Sequence, residues 1–245
     1  PNVRSGLSLD DGEGVCPEWA TPYETAATSG ADRVVPAWAR SGDDLNFLYT
    51  GGTTGMPKGV MWRQDDLVVK LTASLGRPID ENGTIDDLRG TFTAPGSRFL
   101  PACPQMHGTG NFPCLSTLTG GGSVVTLTNR TFDPVELLDT IERDGVNSIS
   151  IVGDAFAKPI LRTLDANQGR WDLTSLVGIV SSGVMWSKES KQGLLDHHPG
   201  MVLMDAFSSS EALGMGSSVS SAGAPAETAK FELSPETIAI DDLNR

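Results

Sequence analysis

The sequence predicts an α/β fold, a parallel sheet layered with flanking helices, and three observations carry that expectation. Segments of strand and helix character alternate from Ser123 to Ala206, the pattern that right-handed crossovers turn into a parallel sheet. The two most distinctive polar segments, at 50–59 and 205–211, each begin where an apolar run ends, as expected for loops beyond the carboxyl ends of strands. Finally, 245 residues with 38% hydrophobic and 20% charged content can bury a substantial core, in one large domain or two small ones.

Taken in order, residues 1–44 hold Gly, Pro, Asp and Ser with little periodicity and read as an irregular lead-in with one helix near Tyr23 to Ala27. The run Leu45 to Tyr49 reads as a buried strand. Leu67, Val68, Leu71 and Leu75 fall on one helical face, with Asp65 and Asp66 near the helix start, where carboxylates are favoured. Asp80 to Gly83 and Asp86-Asp87 read as a solvated loop without a metal site. Alternation then follows: strand Ser123–Thr128, helix Pro134–Arg143, strand Ser148–Val152, helix Ala157–Leu164, strand Leu176–Ser181, helix Lys188–His197 and strand Val202–Ala206. His197 and His198, before Pro199, read as cations at a helix C-terminus. Ser217–Ala226 reads as a mobile loop leading to a last strand around Thr237–Ile240.

Charge narrows the partners. A formal net charge of −13 argues against nucleic acid, which demands a basic face to displace counterions. No apolar run approaches the roughly 20 residues that span a bilayer, and no basic-then-apolar leader opens the chain. Peripheral membrane contact stays compatible with the sequence. Cys16, Cys103 and Cys114 are odd in number and lack paired metal spacing, which fits a reduced, cytoplasmic compartment.

Thr50-Gly51-Gly52-Thr53-Thr54-Gly55-Met56-Pro57-Lys58-Gly59 has the composition of a phosphate cradle. Glycines let backbone N–H groups approach an anion and adopt positive φ, threonine hydroxyls add donors, and Lys58 adds a cation that can follow a polyphosphate. The loop of common nucleotide triphosphatases needs Gly-Lys followed by Ser or Thr; here Lys58 sits between Pro57 and Gly59, so this loop is built differently. The plainer alternative is a mobile Gly/Thr surface turn.

Tyr49 to Val60 resembles the signature phosphate loop of the adenylate-forming enzymes, which include acyl-CoA synthetases, firefly-type luciferases and the adenylation domains of peptide synthetases. The resemblance implies a two-step reaction: ATP and a carboxylate give an acyl-adenylate and pyrophosphate, and a thiol, usually coenzyme A, takes the acyl group. It implies that Thr50, Gly51, Gly52, Thr53, Thr54, Gly55 and Lys58 bind the ATP phosphates. Asp205-Ala206-Phe207-Ser208-Ser209-Ser210-Glu211 is similar to the family's adenine and magnesium segment. By that similarity Asp205 accepts from the adenine amino group, Phe207 stacks on the purine, Ser210 holds the α-phosphate and Glu211 coordinates Mg²⁺. The family more often has tyrosine at Phe207 and glycine at Ser208. Read alone, the segment is equally a strand ending in a serine-rich turn whose Glu caps a helix.

Ser181 to Ser187 resembles the family's small-residue turn bordering adenine, with Gly183 as the site residue and Trp186 as core. Pro104 to Gly110 resembles the segment lining the acyl tunnel; His107 is expected to position the carboxylate, which is already ionised at neutral pH and needs no base. Lys58, His107 and Glu211 thus form the catalytic set. The family's ribose-binding aspartate, hinge and lysine-bearing C-terminal domain find no match, so 45–245 reads as an AMP-binding domain incomplete at both ends, part of a longer synthetase. Gly153 to Pro159 and Val60 to Asp66 look most like bacterial fatty-acyl or steroid-side-chain acyl-CoA synthetases. Two readings of other kinds stand beside this one: a phosphotransferase or ATPase releasing orthophosphate, and a non-catalytic nucleotide-binding segment. Oligomeric state stays open.

Overall fold

The computed structural model describes residues 6–10, 12, 14–30, 37, 40–51, 55–79, 82–224, 230–238 and 240. Two compact units divide the chain, Pro1–Ser41 and Gly42–Arg245. In the first, β1 (Gly6–Ser8) pairs in parallel with β2 (Ala20–Pro22), and α1 (Tyr23–Ser29) follows directly. The expected helix is there, extended by two residues, and the short parallel pair is an addition to an otherwise irregular segment.

The second unit opens with an antiparallel hairpin, β3 (Leu45–Thr50) and β4 (Lys58–Arg63), then α2 (Gln64–Ser74) and α3 (Ile85–Gly90). The rest is β5 (Arg98–Pro101), α4 (Gly108–Thr119), β6 (Ser123–Val124), α5 (Pro134–Asp144), β7 (Ser148–Ile151), α6 (Asp154–Ala166), β8 (Gly178–Ser181), α7 (Lys188–His197), β9 (Val202–Phe207), β10 (Gly216–Ser220) and β11 (Glu232–Leu233). These strands form a seven-stranded sheet in the order β11-β10-β9-β8-β7-β5-β6, parallel from β6 to β9 and antiparallel from β9 to β11.

Local chemistry starts and stops these helices. The Asp133 carboxylate accepts from Val135 N–H (2.8 Å), Pro134 presets the first turn of α5, and Gly145 closes it in the left-handed conformation. Ser187 caps α7 by accepting from Ser190 N–H (3.3 Å).

Chain direction then decides the layers. The chain steps from β5 to β6 on one side and afterwards runs β7, β8, β9 to the other. With right-handed crossovers that reversal sends α4 to one face and α5, α6 and α7 to the opposite one. Leu137, Leu138, Ile141, Ile160 and Leu194 pack with Leu100, Ile149, Ile151, Ile179 and Leu203 into the main core. A smaller core joins Leu48, Leu67, Leu71 and Phe112, with Trp62 packed edge-on to Phe112 at 6.2 Å between ring centres.

Several expectations need correction. β3 is a strand but not a buried one: Leu48 is buried, whereas Phe47 and Tyr49 are 50% and 63% exposed, because their face of the hairpin has nothing packed on it among the described residues. β6 stops at Val124; further on, the Thr128 N–H donates to the Glu136 carboxylate instead of to a neighbouring strand. Ser217 to Ser220 are strand, paired with β9, while Ala226 lies outside the described residues. The last strand is Glu232–Leu233, since Thr237 N–H closes a turn onto Ser234; Ala239 lies outside the described residues. Asp86 and Asp87 belong to a helix, where Thr84 Oγ1 accepts from Asp87 N–H and the Asp87 carboxylate accepts from Thr84 N–H; Asp80 and Glu81 are outside the description. β4, β5 and α4 were not anticipated; α4 carries Gly108, Gly110 and Pro113 and lacks a helix-like composition.

Candidate functional site

The reversal between β5 and β7 opens a crevice at the carboxyl end of the sheet, where open α/β sheets take their ligands. A cavity of about 450 Å³ lies there. Cys103 and Pro104 reach it from the turn after β5, Val152 from the turn after β7, Ser182 and Gly183 from the turn after β8, and Ser208 and Ser210 from the turn after β9. Phe112, Val180, Val184 and Leu213 make much of its wall apolar, and His107, Gly108 and Thr109, at the start of α4, close one side. A second cavity of about 280 Å³ shares Ser182, Gly183, Ala206 and Ser208 and adds Trp186, Asp205, Phe207 and Phe231.

The turns are locked to each other. Gly153 N–H donates to the buried Ser181 Oγ (2.9 Å), and the Asp154 carboxylate accepts from both Ser187 N–H (3.1 Å) and Ser187 Oγ–H (3.0 Å). Burial works against the ionised Asp154, yet hydrogen bonds from Lys158, Ser187 and Ser190 hold its carboxyl below the usual carboxylate range. Gly183 has φ +94°, which side chains rarely adopt, and it borders both cavities. Gly153, at φ +52°, would place a Cβ 2.6 Å from Val184, so glycine is required for the two turns to meet.

Asp205 forms an ion pair with Lys191 of α7, and Phe207 lies 5.4 Å from Phe231 between ring centres. Ser208, at the position where the resembled motif has glycine, accepts from Gly214 N–H (3.0 Å) and so ties down its own loop. Ser210 is held through its carbonyl, which accepts from Trp62 Nε1–H (2.8 Å) of the hairpin. His107 is exposed, caps α4 through its backbone and lines the larger cavity.

The phosphate-loop residues stand apart. Gly52, Thr53 and Thr54 lie outside the described residues; Gly51 and Gly55 are exposed, and Gly55 has φ +120°. Lys58 is the first residue of β4, opposite Thr50, with its side chain exposed. None of Thr50, Gly51, Gly55, Lys58 or the exposed Glu211 lines either cavity. Trp62, Phe231 and Lys191 were missed in the sequence; the available signal for Lys191 was its place on the same helical face as Leu194 and Leu195, three and four residues on.

Among the described residues no three His, Cys, Asp or Glu side chains converge on a metal position. A lone exposed Glu211 beside Ser210 fits Mg²⁺, a hard cation carried mainly by phosphate oxygens and water, better than it fits a protein-caged ion. The cysteines are free, and burial pushes the thiols of Cys103 upward and Cys114 up to about 11, so both serve as packing groups. No helix among the described residues is long and apolar enough to cross a membrane.

A family model described as AMP-binding enzyme matches residues 5–236. The chain is 34% identical to the medium-chain acyl-CoA ligase Mig of Mycobacterium avium, over 98% of this chain and 42% of the relative. It is 32% identical to the 3-oxocholest-4-en-26-oate–CoA ligase of Rhodococcus rhodochrous, over 86% of this chain and 39% of that one. The inhibitor-bound N-terminal domain of FACL13 from Mycobacterium tuberculosis shares the fold, with a TM-score of 0.62 at 18% identity, covering 83% of this chain and 47% of that structure. The chain therefore spans less than half the length of these relatives. By the family model that matches most of its length, it belongs to the AMP-binding enzyme family.

Proposed function

We propose that the protein takes part in ATP-dependent activation of a carboxylic acid, of the fatty or steroid-side-chain class, to an acyl-adenylate that is passed to coenzyme A. The observation that carries this reading is the convergence of the turns after β5, β7, β8 and β9 on one largely apolar cavity whose end is the N-terminus of α4. Gly108 and Thr109 N–H groups there make no hydrogen bonds among the described residues, and the helix dipole favours a carboxylate beside them. The names of the ligases from Mycobacterium avium and Rhodococcus rhodochrous support the acyl class.

In this reading the acid lies in the apolar cavity with its carboxylate at Gly108, Thr109 and His107. A carboxylate oxygen forms a bond to the α-phosphorus, the bond to the bridging oxygen breaks, and pyrophosphate leaves. Ser210 holds the α-phosphate, Asp205 accepts from the adenine amino group, Phe207 and Gly183 border the purine, and Thr50 to Gly55 with Lys58 hold the departing phosphates. Glu211 would hold Mg²⁺, which when bound would supply positive charge against the phosphates. Residues 45–245 form the AMP-binding domain, and the protein acts in the cytoplasm.

The test is carboxylate-dependent exchange of labelled pyrophosphate into ATP by the protein that carries this chain, across a panel of short to long fatty acids and a steroid side-chain acid. Exchange with a medium or long acid is the expected result; no exchange with any acid, or release of orthophosphate, overturns the reading. Lys58→Ala is expected to weaken ATP binding about tenfold, the loss of one charge-assisted phosphate contact.

A further inference from the structure

Lys191 occupies an unusual place for a lysine. Its side chain is 4% exposed, against 40% and 58% for the ion-paired Lys70 and Lys158. It stands in α7, its Nζ pairs with Asp205 Oδ2 on β9, and its ammonium lies 5.7 Å from the ring centre of the fully buried Trp186. A buried ion pair is a poor device for stability, because removing two charges from water offsets their attraction. What the pair does supply is a fixed carboxylate. Asp205 lines the cavity of about 280 Å³ together with Gly183 and Phe207, and its second oxygen, Oδ1, makes no hydrogen bond among the described residues.

We propose that Lys191 is a positioning residue for purine selection, clamping Asp205 by Oδ2 so that Oδ1 accepts from a 6-amino purine and repels the carbonyl oxygen of a 6-oxo purine. The inference rests on the reading above that Asp205 meets the nucleotide base. A lysine that merely supported the fold would, when replaced, weaken both purines alike. A clamp, when removed, frees the carboxylate to turn and erodes the preference itself.

The experiment measures equilibrium binding of ATP and of inosine triphosphate, in the presence of Mg²⁺, to the full chain by calorimetry. The wild-type protein is expected to prefer ATP. Lys191→Met should reduce the ATP to inosine triphosphate preference about tenfold, and Lys191→Arg, which keeps a charged donor at Asp205, should retain most of it. Circular dichroism reports whether each variant folds; should Lys191→Met not fold, Lys191→Gln, uncharged and of similar reach, is read in the same way. A folded Lys191→Met or Lys191→Gln protein with the wild-type preference overturns the clamp and leaves the ATP reading standing, as does a Lys191→Arg protein no more selective than Lys191→Met. A wild-type protein that binds neither nucleotide, or both equally, overturns the assignment of Asp205 to adenine and this inference with it.

Discussion

The turn after β8 and the loop between β3 and β4 are both glycine-bearing and polar, yet they are held in opposite ways. Around Gly183 the backbone is tied on both sides, by Ser181 to Gly153 and by Ser187 to Asp154, above a core containing Ile151, Ile179 and Trp186. The 51–57 loop leaves a two-stranded hairpin with one exposed apolar face, and this hairpin meets the cavity wall through the Trp62 Nε1–Ser210 carbonyl hydrogen bond and through Leu48 and Trp62 packed on Phe112. The most distinctive polar motif thus stands on the lightly packed element, and the plainer motifs stand on the rigid one. Under the function proposed above, the base and the acyl chain would lie against this preorganised wall, and the phosphates would fall to donors carried by the hairpin.

The largest expected effect tests that contrast directly. Leu100→Ala, fully buried in the sheet core, should cost about 2–5 kcal/mol in urea unfolding, while Phe47→Ala on the open hairpin face should stay within about 0.5 kcal/mol. Comparable losses would show that the hairpin face is covered in solution. Gly183→Val should cost about 1–3 kcal/mol through its positive φ and abolish nucleotide binding; unchanged binding would remove the turn from the site. Trp62→Phe keeps the edge contact to Phe112 and deletes the hydrogen bond to Ser210, so a loss of about 1 kcal/mol is expected, together with weaker ATP binding. If ATP affinity holds, the hairpin is not coupled to the 208–211 turn by this bond.

The smallest effect is acid sensitivity. Asp154 has a folded pKa depressed below its ordinary 3.8, so its contribution is full above that value and is lost as pH falls through 3.8 and below. Asp154→Asn should therefore lower stability at neutral pH and flatten the acid limb of a stability-versus-pH curve, so that variant and wild type converge below that value.

The alternation from 123 to 206 was legible because amphipathic helices and apolar strands repeat with different periods, and Asp133, Gly145 and Ser187 mark boundaries by capping chemistry that needs only neighbours in the chain. α4 was not legible: Gly108, Gly110 and Pro113 are weak helix formers, and the helix is sustained by packing Phe112 against Leu48 and Leu71. Likewise, Gly183 and His107 could be nominated from resemblance. Their shared cavity could not, because Cys103, Val152, Gly183 and Ser210 are brought together by a strand order that jumps from β6 back across β5 to β7.

Sequence alone determined the fold class, the acidic character and the phosphate-cradle composition of residues 50–59, since each follows from composition, period and short-range spacing. Tertiary structure decided which motifs share a wall, that Lys58 begins a strand, and that Asp205 meets Lys191 across fourteen residues. Those contacts depend on sheet order and helix face, which chain neighbours do not encode.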